Sequence, residues 1–532
     1  MYPGTHARST PGRAAVVMAG SGRTLTFAEL EDRSARVANT LRGAGLVPGD
    51  AVALVSDNTP EAFEVYWGAL RAGLYITAVN SHLTAAEVAF VVNDCGAAAL
   101  IVSGRLGDLP RELRPQVPDV KVALAYGTRV EGYDDYEQAV VAASAVVPPD
   151  QPCGADILYT SGTTGQPKGI RQVLPRRRID EPGDPVVAMS QAYFGFGPET
   201  VYLSPAPVYH AAPLRFCAAV QALGGTVVMM ERFGAADALA AVEKYRVTHS
   251  QWVPTMFVRL LKLADDVRDR FDLSSHRVAI HAAAPCPVEV KDAMIRWWGP
   301  ILWEFYASTE GSGSTVINSA EWLTHPGSVG RPAQGVIRIC DGAGDELPVG
   351  EVGTVYFERD ELPFVYLGEE ELTRSAQHPA HPNWTTTGDI GRLDEDGYLY
   401  LTDRASFLII SGGVNISPQE IEDALIVHPS VSDAAVIGVP NPDLGEEVRG
   451  VVILAAGCDP TPETEQDLLD YLAGRLARYK LPKRIDFVTD LPRTPTGKLV
   501  KRLLHESYAT PVTGARTAER RAQRRPAHPT DR

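Results

Sequence analysis

The sequence predicts an α/β protein with a large N-terminal unit and a smaller α+β unit behind it. Three observations carry this expectation. Strand-like and helix-like stretches alternate, as in GGTVVMM (224–230), DALAAVEKY (237–245) and THSQWV (248–253), and strands separated by helices of this length imply parallel sheets with helices on their faces. At 532 residues the chain exceeds what one hydrophobic core usually holds. After Asp403-Arg404 the pattern changes to one helix start and two adjacent strands, DAAVIGV (433–439) and VRGVVIL (448–454).

The first helix start is legible in Leu25-Thr26-Phe27-Ala28-Glu29-Leu30. Thr26 is the N-cap, Glu29 its capping-box partner, and Leu25 and Leu30 a staple. That helix should end near Gly43-Ala44-Gly45, after which DAVALVSDN (50–58) reads as a buried strand leading to a turn. Residues 1–403 are therefore expected to form the large unit and 404–508 the small one. In the latter, Ser417-Pro418-Gln419-Glu420 predicts a second capping box with proline at the first helical position. A helix over 464–479 and the loop PRTPTGK complete it. Residues 509–532 hold six arginines against Glu519 and Asp531, with hardly any large apolar side chains, which predicts a disordered tail.

Composition narrows the function classes. A net charge of −16 argues against a nucleic-acid partner. No apolar run has the length of a membrane-spanning helix, and the start, MYPGTHARSTPGR, lacks an apolar secretory segment. Six cysteines lie far apart with no CxxC or metal spacing, which predicts reduced, buried thiols and a cytoplasmic setting. Nothing in the sequence fixes the oligomeric state.

The most informative stretch is YTSGTTGQPKGI (159–170). Glycines and hydroxyls in one loop after a strand suit an anion, because bare N–H groups and hydroxyls close around phosphate where no Cβ intrudes. A Walker loop is excluded: Gln166 and Pro167 separate Gly165 from Lys168, Gly169 stands where Ser or Thr is needed, and Pro167 resists the helix. A plain surface turn has the same composition, so the loop decides nothing alone.

Further stretches do. In order and spacing the loop, SPAPVYHAAPL (204–214), HAAAPCP (281–287), EFYASTEG (304–311), TTTGDIGRLDEDGYLYLTDR (385–404), SGGVNISPQEIE (411–422) and PRTPTGKLVKR (492–502) resemble the adenylate-forming superfamily of acyl-CoA synthetases, adenylation domains and luciferases. The likeness runs from about Leu25 to Leu504 and is strongest to the fatty-acyl and related acyl-CoA ligases. It implies a large N-terminal domain of helix-flanked sheets plus a distorted β-barrel, with a small mobile α+β C-terminal domain. It further implies a carboxylic acid:CoA ligase. In such enzymes the carboxylate attacks the α-phosphate of ATP to give acyl-AMP and diphosphate, and the CoA thiol then takes the acyl group.

By the same resemblance, Thr160, Ser161, Gly162, Thr163, Thr164, Gly165 and Lys168 cover the departing phosphates. Ala283, Glu304, Phe305 and Tyr306 serve the nucleotide, Tyr306 by stacking on adenine. Thr309 bonds a phosphate oxygen, and Glu310 holds Mg²⁺, a hard ion that takes oxygen ligands beside phosphates. Asp389 and Arg404, fifteen residues apart, take the ribose hydroxyls, a task suited to a carboxylate accepting two protons. Lys498 bridges the substrate carboxylate and the α-phosphate, offsetting charge in the transition state. His210 gates or positions at the acyl entrance, and Ser411, Gly412 and Gly413 approach the pantetheine thiol.

Four departures stand out. Ala307 and Ala282 replace glycines, Ser406 replaces the usual hinge Asp or Lys, and RQVLPRRRIDEPGDP (171–185) is a proline-broken insertion that reads as a loop. Ser406 leaves room for an alternative in which an aryl, sterol-side-chain or fatty acid is loaded onto a carrier-protein thiol. Trp252, Val253, Phe257, Phe305 and Ala284 are expected to border the acyl pocket, and the resemblance favours a medium- or long-chain fatty acid there. ATP, Mg²⁺ and CoA are the implied cofactors. An acyl-carrier protein is the alternative partner.

Overall fold

The structure is a computed structural model, which describes residues 2–160, 167–404, 407–411, 414–493 and 499–508. Ser161, Gly162, Thr163, Thr164, Gly165, Ser406, Gly412, Gly413, Lys498 and the tail 509–532 lie outside the described residues. The described chain divides into two compact units, one through Arg404 and one from Phe407. Arg404, expected to open the small unit, instead ends the last strand of the large one, in register opposite Asp389.

Two sheets build most of the large unit. The first has eight strands, with Ala51–Val55, Tyr75–Val79, Ala97–Ser103, Val122–Tyr126 and Ala155–Thr160 running parallel. The second has nine, among which Val201–Ser204, Thr226–Met229, His249–Trp252, Val278–His281 and Leu302–Ala307 are parallel. A third, five-stranded antiparallel sheet contains Val336–Cys340, Gly353–Glu358, Trp384–Thr385, Asp389–Leu393 and Leu399–Arg404, and stands where the distorted barrel was expected.

The helix Phe27–Gly43 begins as its sequence dictates. The Thr26 hydroxyl accepts from the Glu29 amide at 3.2 Å, and the Glu29 carboxylate accepts from the Thr26 amide at 2.8 Å. This helix shares one core with Glu61–Arg71, Ala211–Ala222 and the inward faces of both parallel sheets. Every residue of Glu61–Arg71 is buried, its charged side chains included. Buried charge must be paired, and it is. Arg71 grips the Glu31 carboxylate at 2.8 and 3.0 Å and the Gln151 amide oxygen at 2.7 Å. Glu64 meets Arg33 at 2.7 Å and accepts from the Tyr136 hydroxyl at 2.8 Å, while Glu61 meets Arg23 at 2.7 Å.

The small unit contains the hairpin Val431–Asn441 and Gly445–Leu454, joined in one sheet by Ile409–Ser411, Val414–Ile416 and Arg484–Phe487. Its helix Pro418–Ile426 starts where expected but without the expected capping box; the Glu420 carboxylate instead accepts from Lys480 at 2.6 and 2.8 Å. The helix expected over 464–479 stops at Ala473, before Gly474, and a single 3₁₀ turn covers Arg478–Lys480. The insertion after YTSGTTGQPKGI is a loop until the helix Pro185–Phe194, pinned by the Cys153 amide on the Arg177 carbonyl and the Ile179 amide on the Gln151 carbonyl, both 3.0 Å. No disulfide links the six cysteines, four of which are buried.

Two buried histidines give the large unit an acid-side limit. Burial pushes His249 down to about 4 and His276 down to about 3, from an ordinary 6.5. The unfolded chain takes up these protons below about pH 6.5, whereas the folded chain resists until far lower. Stability is therefore complete above pH 6.5 and is lost as pH falls toward the folded values, by about 2 kcal/mol per ring at pH 5. Urea unfolding near pH 7 and near pH 5 checks this, and His249→Gln is expected to shrink the difference.

Candidate active site

Side chains that can serve a ligand gather at the carboxyl ends of the parallel strands of the nine-stranded sheet. This is where open α/β sheets hold their ligands, since the turns after successive strands open there to solvent. After Val201–Ser204 comes His210, at the N-cap of the helix Ala211–Ala222, its ring 4.6 Å from that of Tyr209. After His249–Trp252 comes Val253, after Val278–His281 come Ala282 to Ala284, and after Leu302–Ala307 come Thr309 and Glu310.

Two of the expected nucleotide residues meet directly. The Tyr306 hydroxyl donates to Asp389 Oδ2 at 2.6 Å, joining motifs 83 residues apart, and the Thr387 hydroxyl donates to the same oxygen at 2.7 Å. Arg404 lies across the ladder from Asp389, so the two ribose candidates share one rung of the antiparallel sheet. An aromatic ring and a carboxylate side by side at a sheet end suit a nucleoside: one offers a stacking face and the other accepts hydroxyl protons.

Glu310 is buried, and its Oε1 accepts the Tyr366 hydroxyl at 2.8 Å. Among the described residues Oε2 takes no hydrogen bond, which leaves one oxygen for a hard cation. No cluster of three His, Cys, Asp or Glu exists among the described residues. A single protein carboxylate fits Mg²⁺, which takes most of its ligands from phosphates and water. Tyr366 also pairs with Ile170 on the strand Lys168–Arg171, at the end of the stretch YTSGTTGQPKGI. Glu310 is thereby tied to that strand.

The loop itself sits on a hairpin. Ala155–Thr160 and Lys168–Arg171 are antiparallel, with Thr160 opposite Lys168 across residues 161–166. Asp156, at the root of the hairpin, is held by Arg215 of the helix Ala211–Ala222 at 2.7 Å. Of the loop candidates, then, the structure places Lys168 and the Thr160 backbone at the two stems.

Several expectations are corrected. The Glu304 carboxylate is not presented to a ligand: Lys291 binds it at 2.5 Å inside the core, so any nucleotide contact from Glu304 comes from its backbone. Burial pushes the Glu304 carboxyl up while Lys291 pulls it back, and the neighbouring His281, fully buried, is held well below its ordinary value and neutral. Trp252 and Phe257 are core residues, 1% and 0% exposed, packed on Trp298. Phe305 stacks on Phe216 at 5.4 Å and 20°, and Phe216 packs in turn on Phe194 and Phe196, so this ring too belongs to a core cluster, with partners the sequence did not single out. Ser411 ends a strand of the small unit, in register with Gly445.

Ala283 has a φ of +78°, a left-handed conformation that a Cβ disfavours. The position is exposed, so packing plays little part. Ala283→Gly is expected to raise the unfolding free energy by up to about 1 kcal/mol, and Ala283→Val to lower it by more than that. Paired urea titrations read both.

Sequence reasoning missed Tyr366, Thr387, Arg215 and Arg359, whose guanidinium donates to the Gly311 carbonyl at 3.1 Å just after Glu310. Each acts through a partner distant in sequence or in a motif's shadow. Only the TTTGD run, with its hydroxyl two residues before Asp389, held a local signal.

Known proteins bear on this geometry. The sequence profile of the AMP-binding enzymes matches residues 4–366, and that of the AMP-binding enzyme C-terminal domain matches 420–498. The chain is 34% identical over 508 residues to a feruloyl-CoA synthase of Amycolatopsis sp, covering 94% of this chain and 97% of that one. It is 31% identical over 509 residues to the fatty acid–[acyl-carrier-protein] ligase ScoC of Streptomyces coeruleorubidus, with 94% and 95% covered. Among solved structures, that of the anthranilate CoA ligase AuaEII in complex with anthranoyl-AMP superposes with a TM-score of 0.81 at 25% identity, covering 96% of this chain and 97% of that one. Matched along both of its units, and carrying the paired tyrosine and carboxylate of the site, the chain belongs to the AMP-binding enzymes of the adenylate-forming superfamily, in their AMP-forming acyl-CoA ligase branch.

Proposed function

We propose that this acid:CoA ligase activates a medium- or long-chain fatty acid as its acyl-adenylate and transfers the acyl group to CoA. The observation that carries the nucleotide half is the bond from Tyr306 to Asp389, which sets a stacking face beside a carboxylate at the ends of the strands. The Tyr306 ring takes the adenine, Asp389 and Arg404 the ribose hydroxyls, and Lys168 with the loop 160–165 the departing diphosphate. Glu310 is the residue that would hold Mg²⁺, which supplies charge neutralisation on the phosphates. Lys498 sits between the attacking carboxylate and the α-phosphate, where negative charge builds. His210, Val253, Ala284 and Phe305 border the acyl group, and an apolar lining suits a hydrocarbon chain. Ser411, Gly412 and Gly413 guide the thiol. A cytoplasmic site of action completes the reading; among the described residues no helix is long and apolar enough to cross a membrane.

The second reading is transfer to an acyl-carrier protein, favoured by the likeness to ScoC and by Ser406 at the hinge position. A pyrophosphate-release screen separates the two. Saturated acids of graded length, cinnamic-type acids and sterol-side-chain acids are offered with CoA or with a phosphopantetheinylated carrier protein. Fastest turnover with a fatty acid and CoA is expected. Preference for an aromatic acid, or a strict need for the carrier, would overturn the corresponding half of the proposal.

A further inference from the structure

Lys498 closes the stretch PRTPTGK, and the described residues on both sides of 494–498 are anchored within the small unit. On the entering side, Arg493 forks onto Asp433: Nε donates to Oδ2 at 2.6 Å and Nη2 to Oδ1 at 2.7 Å, and Nη2 also donates to the Ala434 carbonyl at 3.1 Å. A planar two-bond fork fixes direction as well as distance, which a single lysine contact does not. On the leaving side, Lys501 opens the helix Lys501–Tyr508 and meets Glu422 at 2.9 Å, both largely buried, with the Phe407 ring 5.5 Å from its ammonium. Glu422 also accepts from the Val436 amide at 2.7 Å.

The two anchors converge on one element, since Asp433, Ala434 and Val436 all belong to the strand Val431–Asn441. Between them the stems are closed by a bridge pairing Arg493 with Leu499 and by the Val500 amide on the Pro492 carbonyl at 2.7 Å. Leu491, Leu499 and Leu504 plug the same apolar patch as Ile437 and Val451. Only residues 494–498 lie between the paired stems, and Lys498 is covalently next to one of them. What the two ion pairs fix is where the residues on either side of 494–498 sit against the strand Val431–Asn441.

We propose that Arg493 and Lys501 are positioning residues for Lys498: one ion pair made on the strand Val431–Asn441 and one hydrogen-bonded to it through Glu422 set the place of the lysine in the adenylation step. The inference rests on the reading that Lys498 serves that step. It distinguishes the half-reactions: adenylation needs the lysine placed, whereas attack of a thiol on acyl-AMP already formed does not.

The test uses the full chain and the acid giving the fastest pyrophosphate release in the screen above, with CoA or the phosphopantetheinylated carrier protein as acceptor, whichever the wild type uses. Arg493→Met and Lys501→Met are each expected to lower kcat for acyl-adenylate formation on the order of 10–100-fold, with KM for ATP and acid little changed, as loss of positioning does. Thioester formation from supplied acyl-AMP should be nearly unaffected, and Arg493→Lys should recover part of the loss. Equal loss in both half-reactions would mean general damage to the small unit and would overturn the proposal. So would undiminished adenylation in both variants alongside a Lys498→Ala variant that has lost it. Undiminished adenylation in Lys498→Ala would instead remove the reading of Lys498 itself. If Arg493→Met yields no folded protein, Asp433→Asn keeps the shape of the partner and gives the same readout.

Discussion

Replacing Lys498 by alanine is expected to lower acyl-adenylate formation by about two to three orders of magnitude, the range seen when one preorganised group facing developing charge is removed. Carboxylate and α-phosphate are both anionic, so their approach is opposed until a cation stands between them. Water in the space left by the side chain screens that repulsion less well, because it must reorient during the reaction. The defect should fall on kcat, since a group acting mainly on the transition state adds little to ground-state binding. Carboxylate-dependent ATP–pyrophosphate exchange measures the loss. Thioester formation from supplied acyl-AMP should survive, because no phosphoryl charge develops in that step.

Replacing Lys291 by methionine is expected to destabilise the large unit by about 3–5 kcal/mol, because it strands a buried carboxylate. Lys291 and Glu304 touch at 2.5 Å, with 1% and 7% of their side chains exposed. The ammonium also lies 5.0 Å from the Trp322 ring. His281 offers no substitute: it lies 3.7 Å from the carboxylate and burial keeps it neutral. The effect should reach the site, since Glu304 lies two residues before Tyr306 on the strand Leu302–Ala307. A rise in KM for ATP should therefore accompany the lower midpoint in urea. A double variant Lys291→Met, Glu304→Leu should regain much of the stability, because removing both charges removes the desolvation penalty. A double variant as unstable as the single one would contradict this.

What the sequence made legible was local. The Thr26–Glu29 cap, the strand Ala51–Val55 and the alternation over 224–253 formed where their residues placed them, because short-range patterning decides such elements. The Ser417 capping box did not form, and Glu420 pairs instead with Lys480, sixty residues later, a partner that local patterning does not reveal. Trp252 and Phe257 were misassigned to a pocket because apolar residues after a strand look alike whether they line a cavity or fill it, and only Trp298, on a later helix, settles which. Glu304 looked available because its partner sits thirteen residues earlier on another element. Tyr306 and Asp389 were legible as motifs, but their mutual hydrogen bond was not, since a contact across 83 residues leaves no periodic trace.

The two-residue strand Val365–Tyr366 has a meaning for anyone recombining this chain with its relatives. It edges the eight-stranded sheet beside Lys168–Arg171, while its tyrosine holds Glu310 in the turn after a strand of the nine-stranded sheet, so three segments distant in sequence form one inheritable block. A crossover placed between 171 and 310, or between 310 and 365, would pair the strand Lys168–Arg171 from one parent with a tyrosine or glutamate from another. Junctions placed after Tyr366, where the match to the AMP-binding enzymes ends, keep the block whole.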